Sequence, residues 1–165
     1  MQPKSKPYKI FIAYIGNDYG KTVARSVDKC LWKHHWIPRI ALSGAKGEFF
    51  AIDEHEIIEE GARCDALLAI NSEGAINRSQ RLKFWLEVAK LLLDFYKPTV
   101  ALIQRAQPTL HYLDNPEVRH VKFERGHHRR ICTPVLAELE KTIQNWARTP
   151  VSTVPLGAEL PEREI

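Results

Sequence analysis

The stretch that most constrains the fold runs from Asp65 to Ile103. It reads Asp65-Ala-Leu-Leu-Ala-Ile-Asn71, a polar segment from Ser72 to Ser79, an apolar helical pattern carrying Glu87, and Lys97-Pro98-Thr-Val-Ala-Leu-Ile103. The two apolar runs are too short for independent helices, and the helical pattern between them covers about 15 residues. Strand, helix, strand in this order implies a parallel pair joined by a crossover. In such a unit the loop after the first strand and the start of the helix lie at the carboxyl edge of the sheet, where ligands bind.

The same alternation extends in both directions. Tyr8 to Ile15 has the β-branched and aromatic content of a buried strand, Gly16 to Gly20 is turn chemistry, and Val23, Ala24, Val27 and Leu31 form an apolar helical stripe through about His34. Trp36 to Leu42 reads as a second strand, pushed to the sheet edge by Pro38, followed by a mobile loop, Ser43 to Gly47. Ile52 to Gly61 is predicted as a short acidic helix with Gly61 as its C-terminal cap. Between Arg105 and Arg119 the pattern is irregular, with loop and about one helical turn expected. His120 to Glu124 alternates as a brief edge strand, and Thr133-Pro134 opens a last helix whose apolar face continues through Leu136, Leu139, Ile143 and Trp146. Five strands alternating with helices predict a flavodoxin-like three-layer α/β/α domain with a parallel sheet in the order 2-1-3-4-5. The ligand crevice is then expected between strands one and three. The predicted division is a polar leader (1–7), one domain (8–148) and a proline-containing tail (149–165).

With 165 residues, 44% of them hydrophobic, the chain can bury one core without metals or disulfides. Its three cysteines, Cys30, Cys64 and Cys132, are widely spaced and form no Cys-x-x-Cys pair. They suggest neither a disulfide framework nor a zinc site, and a reducing cytoplasm is the expected compartment. Apolar runs are too short to span a membrane and the N-terminus has no apolar signal region, so no membrane partner is expected. The net charge of +4 permits an anionic partner, but the basic run Arg119 to Arg130 has no stacking platform, and nucleic acid is not expected as a partner.

The opening strand Phe11-Ile-Ala-Tyr-Ile-Gly-Asn-Asp18, the run Asp65 to Ser72, the Trp85-Leu-Glu87 helix and Lys97-Pro98 together resemble the Toll/interleukin-1 receptor (TIR) and TIR-like domains of the bacterial antiviral type. Nucleoside 2-deoxyribosyltransferases are structural cousins. The likeness spans about Lys9 to Arg148. Many family members place Trp four residues before the catalytic Glu, whereas position 83 here is Lys and Trp85 lies two before it. The family contains enzymes that cleave the nicotinamide-ribose bond of NAD and silent adaptors that only self-associate. By resemblance, Glu87 takes the catalytic position, NAD is substrate with no bound cofactor, and the loop after the second strand, with Lys46, serves assembly and site closure.

Chemistry agrees with one carboxylate. Nicotinamide departs neutral from a cationic precursor, so no general acid is needed, and a lone carboxylate suffices to hold ribose hydroxyls and steady the oxocarbenium ion. The competing account of Glu87 is a solvated stripe, because Lys83, Glu87, Lys90 and Asp94 recur at helical spacing. If the helix starts after a Ser79 cap, Glu87 lies about 12 Å along it, awkward for a site at the sheet edge. Glu73 and Asp18 are the alternative carboxylates. Gly16-Asn17-Asp18-Tyr19-Gly20-Lys21-Thr22 is one residue short of a P-loop and lacks a magnesium carboxylate on the third strand. Its helix start and Lys21 remain candidates to receive a diphosphate. The candidate substrate contacts are therefore Gly16, Asn17, Asp18, Tyr19, Lys21, Lys46, Ser72 and Trp85, with Tyr19, Trp85, Phe49 or Phe50 available for stacking and no metal site. A homo-oligomer through the loop after the second strand is expected. Silent interaction modules and deoxyribosyltransferase-like enzymes are the alternative readings.

Overall fold

A computed structural model describes residues 7–72, 78–105, 113, 116–127 and 130–148. Five strands form one parallel sheet in the order β2-β1-β3-β4-β5: β1 Lys9–Tyr14, β2 Ile37–Arg39, β3 Ala66–Asn71, β4 Thr99–Gln104 and β5 Arg119–Phe123. Among the described residues four α-helices connect and cover them: α1 Asp18–Lys33, α2 Glu54–Ala62, α3 Arg78–Ala89 and α4 Cys132–Arg148. A π-helical turn, Lys90–Asp94, follows α3. The architecture is the flavodoxin-like α/β/α arrangement that the alternation predicts.

The central strand β3 and its neighbour β4 are buried along their whole length, which is why they read as unbroken apolar runs rather than alternating ones. On one face α1 and α4 pack over Ile10, Ile12, Leu68, Ile70 and Leu102. On the other, α2, α3 and the π turn cover Phe11, Ala13, Leu67, Ala69 and Ile103.

Several boundaries differ from expectation for identifiable reasons. The helix α2 does not end at Gly61 but runs one residue further, to an Arg63 cap. Gly61 is there for close approach, since a Cβ would meet Leu91 Cδ1 at 2.6 Å. The second strand is only three residues long, paired to Lys9, Ile10 and Phe11. The loop that follows is tied down, not mobile. Asp28, buried on α1, accepts hydrogen bonds from the amides of Lys46 at 2.6 Å and Gly47 at 2.8 Å. The cysteine expectation is corrected too: Cys30 on α1 and Cys132 at the start of α4 form a disulfide across 102 positions. Sequence spacing carries no sign of a pairing that only the docking of the two helices creates. The predicted leader apart from Pro7, the tail from 149 onward, and Glu73 lie outside the described residues.

Candidate active site

A cavity of about 220 Å³ opens beside β1, lined by Phe11, Ile12, Tyr14, Gly16, Lys21, Ala41, Ile57, Gln80, Lys83 and Glu87. Its position follows from strand length. β3 pairs with β1 from Ile10 to Tyr14 and leaves no gap, whereas β2 reaches only as far as Phe11. The carboxyl half of β1 therefore has an open edge on the β2 side, and no β3 residue lines the cavity. The crevice expected between strands one and three is thus displaced by one strand.

Glu87 is the chemical centre of this space. The helix α3 begins at Arg78, so Glu87 stands about 13 Å along it. That distance does not remove it from the site, because the cavity extends down β1 from the Gly16 loop. Glu87 is 7% exposed, which rules out the solvated stripe: its neighbours in that pattern, Lys83, Lys90 and Asp94, are exposed and it is not. Burial pushes its carboxyl well above the usual range, and the nearby Glu54 carboxyl, hydrogen-bonded to it, pushes it further; Lys83 opposes both. Glu54 is the first residue of α2, and its Oε2 is buried with no hydrogen-bond partner. The half-buried Glu54 thus adds to the burial of Glu87 in favouring the protonated form of Glu87.

The surrounding groups are fixed. Tyr14 donates from its hydroxyl to Ala41 O at 2.9 Å, and burial followed by Glu87 pushes its pKa up to about 12, against Arg25. It stays a neutral donor at physiological pH. Gln80 donates through Nε2 to Gly16 O at 2.8 Å, clamping the turn after β1 onto α3. Lys21 and Lys83 place two ammonium groups on the lining.

Of the nine proposed site residues, Glu87, Gly16 and Lys21 meet in the cavity. The others do not. Asn17 caps α1, its Oδ1 accepting from Gly20 N at 2.7 Å. Asp18 is exposed in the first turn of α1. Tyr19 points toward the β5 to α4 connection, where Arg125 covers its ring at 4.6 Å and its hydroxyl accepts from Gly126 N at 3.0 Å. Ser72 is buried with an unpartnered hydroxyl, Trp85 is on the outer face of α3, 39% exposed, and Lys46 lines a different groove. The glycine-rich turn is not a phosphate cradle either. Helix α1 starts at Asp18, the amides of Asn17, Gly20 and Lys21 are already bonded, and a Cβ on Gly20 would collide with Ile15 O at 1.9 Å.

Sequence reasoning missed Glu54, Gln80 and Tyr14 as site residues. Glu54 follows Asp53, whose side chain caps α2 by accepting from Glu56 N, and nothing in an acidic run distinguishes the one carboxyl that points inward. Cys64 is no nucleophile: it is buried, and desolvation pushes its thiol up to about 12. Among the described residues no three His, Cys, Asp or Glu side chains gather to hold a metal, and no helix is long and apolar enough to cross a membrane.

No protein-family model matches this chain, and no curated protein matches it. Among solved structures, the lysine decarboxylase LdcF of Francisella novicida is similar over 84% of this chain and 18% of its own, at 12% identity and a TM-score of 0.48. The constitutive lysine decarboxylase of E. coli is similar over 83% of this chain and 18% of its own, at 13% identity and a TM-score of 0.43. The chain thus spans less than a fifth of either enzyme, and likeness of this degree says nothing about activity.

Proposed function

We propose that the chain is a TIR-like enzyme that cleaves the nicotinamide-ribose bond of NAD, with Glu87 as its catalytic carboxylate. The observation that carries this reading is the burial of Glu87 in a cavity whose other charged lining groups among the described residues are Lys21 and Lys83. A carboxyl held partly neutral by burial and by Glu54 gains most from a cationic guest: the positive nicotinamide ring favours its ionised form. The carboxylate then faces the ribose, holds its hydroxyls and stabilises positive charge as the ring leaves neutral. Lys21 and Lys83 are suited to the diphosphate, and Tyr14 stays neutral at any working pH with its proton given to Ala41 O. The cavity is smaller than the roughly 300 Å³ at which sites for drug-sized ligands begin, so it receives the nicotinamide-ribose end and leaves the adenylate outside.

Assembly through the loop after β2 is part of the proposal. Phe50 is 86% exposed and Ile52 78% exposed beside the cavity-lining α2, and two large apolar side chains so placed favour burial against a second copy.

The test is incubation of the full chain with NAD at concentrations that promote assembly, with nicotinamide release followed by chromatography. Wild type should release nicotinamide, and Glu87→Ala should lower the rate by at least about 100-fold. NAD left intact by assembled wild type overturns the enzyme reading and leaves an interaction module, whereas base exchange between nucleosides without nicotinamide release assigns the cavity to deoxyribosyl transfer.

A further inference from the structure

A second and larger depression lies along α1 and the start of α4. It encloses about 860 Å³ and is lined by Arg25, Ser26, Lys29, Trp32, Lys33 and Lys46, with the Cys30–Cys132 disulfide joining its walls. Among the described residues no carboxylate lines it. None of the four cations makes an ion pair within 4.0 Å among the described residues. Asp28, on the same helix, is 1% exposed, with its two oxygens committed to the amides of Lys46 and Gly47.

Such an arrangement is costly for the isolated chain. Arg25, Lys29 and Lys33 recur at i, i+4 and i+8, where like charges on a helix repel. The macrodipole stabilises Lys33 in the last turn but does not reach back to Arg25, and Lys46 comes from a separate loop. On the same face Trp32 is 50% exposed, a large aromatic surface left in water between cations.

We propose that this groove binds single-stranded nucleic acid. The three α1 cations are spaced about 6 Å apart along the helix axis, close to the separation of successive phosphates in a strand, so each can neutralise one. Lys46 adds a fourth cation to the lining from a separate loop. Trp32 supplies the face on which a base stacks, and Ser26 offers a hydroxyl for the sugar. Cations along a groove with an aromatic platform bind a strand without reading its sequence. Duplex is disfavoured because its bases are unavailable to Trp32.

The test uses the full chain with the disulfide intact and a fluorescein-labelled oligouridylate of about eight nucleotides, within the usual site size for such grooves. Fluorescence anisotropy should show binding whose logarithm falls with log salt at a slope near −0.7 per cation engaged, about −2.8 for four. Arg25→Glu combined with Lys29→Glu should weaken binding by more than about tenfold and reduce the slope by at least about 1.4. Trp32→Ala should weaken binding by about tenfold with the slope unchanged. Glu87→Gln should bind as wild type, and NAD should not compete, because the cavity beside β1 is a separate site. The proposal is overturned if the oligonucleotide does not bind, if the charge-reversed chain binds as wild type, or if polyglutamate or a duplex of the same sequence binds as tightly as the strand.

Discussion

At the scale of single residues the decisive fact is the direction of one carboxyl. Glu87 is buried while the other charged residues of its stripe, Lys83, Lys90 and Asp94, are exposed, and its protonation is set first by lost hydration and then by Glu54. Burial favours its neutral form in the folded state, while the unfolded chain releases the proton near 4.5. Above that pH the folded state holds more protons than the unfolded one, so this group costs stability progressively as pH rises through its folded value. Glu87→Gln removes that cost. Its thermal midpoint relative to wild type should therefore rise between pH 4.5 and pH 8, and a pH-independent difference would show the carboxyl to be solvated. Little of this is legible in sequence, because a lysine at i−4 and a lysine at i+3 describe an exposed helix as well as they describe a cavity wall.

At the scale of elements, the short β2 and its following loop shape the cavity. The loop is held by Asp28 from beneath and by Gly47 against β2, where a Cβ would meet Pro38 O at 2.0 Å. Backbone cannot yield as a flexible side chain can, so Gly47→Ala is expected to destabilise the fold by about 2 kcal/mol or more. Gly44, at φ +85 with nothing near its Cβ, should cost about 1 kcal/mol on the same substitution, from backbone conformation alone. Urea midpoints with unchanged m-values would measure both, and equal costs would contradict the contact account. Glycine in a loop signals freedom to a reader of sequence. Here one of the two marks close approach instead, a distinction that depends on which strand lies opposite.

At the scale of the whole molecule, Cys30–Cys132 joins the second element to the last. Closing a loop of this length removes much of the unfolded chain's freedom, and Cys30→Ser is expected to lower stability by about 2 to 4 kcal/mol. Chemical denaturation with and without reductant should show the same loss in wild type and none in the variant. The bond also removes the reasoning that assigned the chain to a reducing cytoplasm, since cysteines that pair at this distance suit an oxidising setting as well.

What the sequence alone determined is the architecture: continuous apolar runs separated by amphipathic stretches admit few solutions other than a parallel sheet covered on both faces, and the strand order follows from right-handed crossovers. It also singled out Glu87, by resemblance. Tertiary structure decided the rest, namely that β2 ends early enough to open β1, that Glu54 meets Glu87, that the α1 cations share a groove with Lys46 and that Cys30 reaches Cys132. Periodicity reports which face of an element is buried, because that depends on the element's own residues. Which two faces meet, and where a gap remains between them, depends on lengths and packing partners far apart in the chain.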